Sequence, residues 1–280
     1  MLDILLDGII DSLKLMPYLF ITFLLLEFLE HKINKKNERI LINSKKIGPA
    51  IGGILGALPQ CGFSAMAASL FSSKVITLGT LIAIFLSTSD EMLPIMISKK
   101  VDVFVVFKII SFKIIIGVLI GFIIDIIFKN KGKKAIPEIN HMCEEEHCEC
   151  NSHGVVYSSL IHTLKISLFI LVVNIFLNVV IFKIGEDNLS NILLNKKSWT
   201  YFLASLIGLV PNCASSVILT ELYLQKMISL GNLLAGLLPG SGVGLLVLFK
   251  SNKNLKENLK ILTTIYLMGV VFGIIIDFIL

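Results

Sequence analysis

The chain has 280 residues, of which 55% are hydrophobic and only 16% are Asp, Glu, Lys or Arg, and its mean hydropathy is +0.87. Soluble domains carry about a quarter charged residues, so a soluble fold is excluded and an all-α multi-pass membrane protein is expected. The net charge of +5 comes from lysines gathered in loops, where they set topology and do not suggest nucleic acid.

In chain order, positions 1–10 hold Asp3 and Asp7 but no basic residue, so no cleavable signal peptide is read there. Residues 13–29 form a first span, followed by a basic loop at 31–46. The segment 47–71 is broken at Pro59-Gln60-Cys61-Gly62, and 75–97 is broken around Ser87-Thr88-Ser89-Asp90-Glu91 and Pro94. Residues 103–128 are a long span with Gly117 and Gly121 four apart, a spacing that permits close helix contact. After a polar segment at 129–153 come a span at 155–182, a loop at 183–199, broken segments at 201–223 and 227–249, and a last span at 259–280. Asp125 and Asp277 stand near helix ends and read as interfacial.

The second series copies the first. Pro59-Gln60-Cys61 and Pro211-Asn212-Cys213 are 152 positions apart (213 − 61), and the same offset pairs Gly56 with Gly208, Gly79 with Gly231, Gly117 with Gly269 and Asp125 with Asp277. The chain is therefore one unit written twice: residues 1–128 and 155–280 are membrane repeats joined by residues 129–154. Equivalent loops carry opposite lysine bias. The loop 31–46 is rich in Lys and Arg where 183–199 is balanced by Glu186 and Asp187, whereas Lys99 and Lys100 face the stronger set Lys250, Lys253, Lys256 and Lys260. Opposite bias suggests inverted insertion, a parallel repeat being the alternative, with re-entrant hairpins at 47–71 and 201–223 and about ten membrane segments in all. It also puts the 129–153 loop in the cytoplasm and both termini outside.

A bilayer offers broken backbone no water, so a break is tolerated only where it lines a cavity or packs on protein. Paired breaks are the pattern of secondary transporters, whose discontinuous helices meet at a midplane site. The breaks supply Gln60, Cys61, Ser64, Ser89, Asp90 and Glu91 from one copy and Asn212, Cys213, Ser216 and Glu221 from the other. Carboxylate, amide and hydroxyl oxygens suit a divalent cation, and added thiolates shift preference toward softer ions. Placement of Asp90 and Glu91 at the membrane surface beside Lys99 and Lys100 is the alternative. Cys61 and Cys213 serve equally as ligands or as small buried groups. Glu27, aligned with Asn178, marks an ion path inside the first span. The turn Pro239-Gly240-Ser241-Gly242 offers backbone contacts at a half-helix start, a site for an anion such as an arsenic oxyanion.

The central loop holds His141, Cys143, His147, Cys148, Cys150 and His153 among four glutamates. That is a metal-binding composition without zinc-finger spacing, and it reads as a cytoplasmic metal collector. The five cysteines form no disulfide framework and read as reduced thiols.

The motifs Pro59-Gln60-Cys61-Gly62-Phe63-Ser64, Ser87-Thr88-Ser89-Asp90-Glu91-Met92-Leu93-Pro94, Pro211-Asn212-Cys213-Ala214-Ser215-Ser216 and Leu238-Pro239-Gly240-Ser241-Gly242-Val243-Gly244 together resemble those of the ten-span heavy-metal exporters, a family also labelled manganese transporter or arsenic efflux protein. The resemblance covers nearly the whole chain. It implies metal export, manganese favoured over zinc or iron, from the bacterial inner membrane, with the ion as substrate and no cofactor required. The lipid bilayer is the other partner expected, and homo-oligomer formation is left open. No nucleotide-binding or phosphorylated-Asp signature is present, so coupling is expected from an ion gradient or the membrane potential. A membrane enzyme is the least favoured reading, because His162 near a span end is the only histidine in the spans.

Overall fold

The computed structural model describes residues 38–58, 61–89, 92–129, 199–211 and 213–279, with scattered positions in 16–24 and 156–175. Each copy contributes five helices among these residues. The first has α1 (Glu38–Gly56), α2 (Cys61–Ser72), α3 (Leu78–Ser87), α4 (Met92–Ser98) and α5 (Val103–Lys129). The second has α6 (Thr200–Gly208), α7 (Cys213–Leu224), α8 (Leu230–Leu237), α9 (Gly244–Ser251) and α10 (Leu255–Ile279). The expected breaks fall at junctions between these helices, except that Pro94 lies inside α4 and does not interrupt it. The basic loop expected over 31–46 is corrected from Glu38 onward, where α1 already runs. Glu38 to Lys46 contains no Gly or Pro and holds strong helix formers in Glu38, Arg39, Leu41 and the two lysines.

Three stretches, Leu78–Ser98, Val103–Phe128 and Leu255–Ile279, are long and apolar enough to cross a membrane. The half-helices α3 and α8 are the innermost elements. Along α3, Leu81, Ile82, Phe85 and Leu86 are buried, and along α8 so are Leu233, Leu234 and Leu237; helices apolar all round belong in an interior. Outside them α5 and α10 turn apolar side chains such as Phe104, Leu119, Ile126, Ile274 and Phe278 outward, as a lipid-facing surface requires.

The contacts repeat as faithfully as the sequence. Helix α3 packs on α5 as α8 packs on α10, and α1 packs on α3 as α6 packs on α8. A methyl group added at Gly117 would lie 2.8 Å from the carbonyl oxygen of Ala83; at Gly269 it would lie 2.6 Å from that of Ala235. Both crossings are therefore too close for any side chain. The copies also exchange elements: α2 of the first packs on α9 of the second, and α7 of the second on α4 of the first. Ser64, in the first turn of α2, is buried against the start of α9 at Gly244.

Asp125 and Asp277 do more than mark a membrane interface. Asp125 accepts hydrogen bonds from the Thr77 hydroxyl at 2.7 Å and the Gly79 amide at 2.9 Å. Asp277 accepts from the Gly231 amide at 2.7 Å, from Ser229 Oγ, and from the Tyr201 hydroxyl at 2.8 Å. Thr77 and Ser229 are themselves the N-caps of α3 and α8. Each carboxylate thus ties the start of a half-helix to the long helix beside it, where the helix dipole favours negative charge. Asp125→Ala and Asp277→Ala should each cost about 2–3 kcal/mol, since the first strands an amide and a hydroxyl donor and the second an amide and two hydroxyls. A clear fall in the thermal melting point of the purified protein is expected from both, and an unchanged melt would show that the clasp contributes nothing.

Candidate transport site

The C-terminal ends of α3 and α8 reach the same point. Helix α3 ends at Ser87, where Thr88 turns to φ −55 and ψ 130 and its hydroxyl donates to the Ile84 carbonyl at 2.7 Å. Ser89 then donates its hydroxyl to the Ser87 carbonyl at 3.2 Å. Helix α8 ends at Leu237, followed by a tight turn in which the Ser241 amide bonds Pro239 and the Gly244 amide bonds Ser241. Gly242 takes φ 52 in that turn, a left-handed conformation that glycine adopts without steric cost.

A small cavity lies between these breaks. The first copy lines it with Thr88, Ser89, Met92 and Lys113. The second lines it with Gly208, Val210, Ser215, Ser216, Leu237, Gly240 and Gly242. The space open to the centre of a water-sized particle is about 20 Å³, enough for one water or one bare ion.

Lys113 is the residue that sequence reasoning overlooked. It lies on α5, ten residues from Val103 and so about 15 Å along the axis, near mid-depth of a hydrocarbon core of about 30 Å. It is only 1% exposed. Its ammonium donates to the carbonyl oxygen of Thr88 and, at 2.7 Å, to that of Leu237. One cation therefore joins the C-terminal ends of the two half-helices, one from each copy. The signal was present: Lys113 stands deep within a largely apolar span, and its mate at offset 152 is Ile265.

Of the residues expected at the site, Ser89, Ser216, Gly240 and Gly242 line the cavity. Ser241 sits between the two glycines, 1% exposed, and its hydroxyl has no hydrogen-bond partner among the described residues. Glu221 lies near the far end of α7, half-exposed, with a carboxylate oxygen 3.6 Å from the Lys99 ammonium. Cys61 and Cys213 are the first residues of α2 and α7, and their side chains lie outside the described residues. So do Gln60, Asp90, Glu91, Asn212, Glu27, Asn178 and the whole collector loop with His141, Cys143, His147, Cys148, Cys150 and His153. Among the described residues no three His, Cys, Asp or Glu side chains come together.

The family model described as "Putative, 10TM heavy-metal exporter" matches this chain twice, over residues 1–184 and 163–280. The chain belongs to this family of heavy-metal exporters. The two matches together run from end to end, and the multi-pass helical fold agrees with the ten spans in the family's description. No curated protein and no solved structure gives a match.

A buried hydroxyl without a partner costs about 1–3 kcal/mol, and the Ser241 hydroxyl, flanked by the lining residues Gly240 and Gly242, has none among the described residues. Ser241→Ala should therefore melt at or above the parent temperature while exporting metal more slowly. A lowered melting point with unchanged export would show that the hydroxyl serves the fold and not the cargo.

Proposed function

We propose that the chain is a secondary-active exporter of a divalent transition metal ion, which binds where the broken helices of the two copies meet. The observation that carries this reading is the seat itself. Two helix C-termini from different copies present carbonyl oxygens at mid-depth, Lys113 already holds them as a cation would, and the space beside them fits a single ion. Half-helix C-terminal ends and unwound carbonyls are what coordinates cations in broken-helix transporters. The hydroxyls of Thr88, Ser89, Ser215 and Ser216 add hard oxygen donors and Met92 a soft thioether, a mixed set that favours manganese and admits iron or zinc. Asp90 and Glu91 directly follow the lining residue Ser89, and Asn212 lies between the lining residues Val210 and Ser215. That adjacency supports their place in the ligand set, with Gln60, Cys61 and Cys213 at the opposite breaks. The 129–154 loop is proposed as a cytoplasmic collector that feeds this site.

Inverted insertion of the copies is part of the proposal, and the Lys99–Glu221 pair supports it. Glu221 is near the end of α7, just before the chain turns into α8, so the pair puts the far end of α4 on the side where α8 begins. Helices α3 and α4 together make up a membrane-spanning stretch, so α3 begins on the other side. The two half-helices then enter from opposite faces and meet end to end, the geometry alternating access uses.

An oxyanion cargo is the second reading. The turn Pro239–Gly242 and the buried ammonium favour it; the one-ion volume of the cavity does not. The test is metal accumulation in cells with and without the protein, scanned across Mn²⁺, Fe²⁺, Zn²⁺, Co²⁺ and arsenite. Expression should lower the content of at least one divalent metal, and Asp90→Asn should abolish the effect at matched membrane levels. Lowered arsenic alone would overturn the cation reading.

A further inference from the structure

We propose that Lys113 is a tethered stand-in for the transported cation: its ammonium occupies the carbonyl seat at the copy interface when the site is empty, and the metal takes the seat only when the side chain withdraws. This deepens the cation-export reading above and rests on it.

Three observations converge on the role. The first is the choice of partners. A lysine with three N–H donors gives two of them to the carbonyls of Thr88 and Leu237, residues 149 apart in sequence (237 − 88), at the ends of α3 and α8. Each helix C-terminus carries about half a negative charge, so the two ends together attract a cation. A dication entering beside that ammonium would meet a like charge a few ångström away in a low-dielectric interior, where repulsion is strongest. One cation or the other holds the seat.

The second is that the fold has no need of the charge. The mate of Lys113 in the other copy is Ile265, which is 0% exposed in the equivalent place on α10. The half-helix beside it crosses at matching glycines in both copies, Gly117 and Gly121 in one and Gly269 and Gly273 in the other. An apolar side chain therefore completes this packing, and the ammonium in the first copy is an addition to it. A charge at mid-membrane is costly and as a rule functional.

The third is mobility by chemistry. An ammonium on a four-carbon stem is a compact point charge that can swing, unlike a backbone carbonyl or a capped hydroxyl. Lys113 also lines the cavity that borders the seat. Withdrawal of the ammonium exposes both carbonyls to whatever ion is there, and its return expels that ion. Return of the lysine after release on the far side resets the carrier without leaving two helix ends unsatisfied in the membrane.

The test is equilibrium binding of Mn²⁺ and Zn²⁺ to the purified full chain in lipid nanodiscs, compared with Lys113→Ile, which installs the residue of the other copy, and Lys113→Gln. Removing the built-in competitor should tighten binding of the preferred ion at least tenfold while slowing its release and export. In the parent, saturating metal should also raise the rate at which formaldehyde and borohydride methylate Lys113, read by mass spectrometry. If the parent binds a divalent metal and both variants bind it no more tightly, Lys113 is a structural strut and the inference falls alone. An unchanged methylation rate on metal binding has the same meaning. If the parent binds neither metal but binds arsenate or phosphate, and Lys113→Gln loses that binding, the cation reading and the inference fall together.

Discussion

A helix that stops halfway through a bilayer leaves four amides at one end and four carbonyls at the other with no water to take them. The fold of this chain is an answer to that constraint, given twice. At their outer ends α3 and α8 are each held by an aspartate reaching from the neighbouring long helix, Asp125 or Asp277. At their inner ends the remaining carbonyls converge, and a single buried ammonium takes one from each. The rest of the packing follows from holding these two short helices in place. The long helices must approach closely enough for their carboxylates to reach, which demands glycine at the crossings. The re-entrant helices α2 and α7 must then fill the remaining faces.

Exact duplication would build a symmetric seat, but a carrier benefits from one that is not. The copies agree at the aspartate clasps, the N-caps and the glycine crossings. They disagree at the centre: Lys113 against Ile265, Ser89 bonded to its own chain against Ser241 unbonded. They also disagree at the rim, where Glu221 replaces Ser69 and meets Lys99. The copies thus keep the clasps and the Gly117 and Gly269 crossings in register while differing at the cavity that the two half-helices share.

Much of this was legible in the sequence because breaks in apolar runs are chemically loud. Pro59, Pro211 and the Pro239-Gly240 pair cannot continue a helix at mid-membrane without a purpose, and three of the four interruptions fall where those residues stand; the fourth falls at the polar run Thr88-Ser89-Asp90-Glu91. The repeat offset then aligned the halves with no structural input. What stayed hidden were pairings across long separations. Nothing near Asp125 in sequence names Gly79, 46 residues away, as its partner, so the aspartate read as an interfacial charge. Lys113 was hidden because lysine in this chain signals topology from the loops, and Lys108 shares its span; only the isoleucine mate at Ile265 sets Lys113 apart. The start of α1 was missed for a similar reason: a run of basic residues suggested a loop, although the same residues are good helix formers.

The exchange of α2 and α7 between the copies bears on how the protein is made. Helix α2 emerges from the ribosome long before α9, the element that covers it, and α4 long before α7. The first copy therefore cannot finish burying its own re-entrant hairpin and must wait in the membrane, incompletely packed, until the second copy has been inserted around it. Two copies fused in one chain shorten that wait to the time of translation. Two separate subunits would have to find each other by diffusion with the same hairpins exposed to lipid.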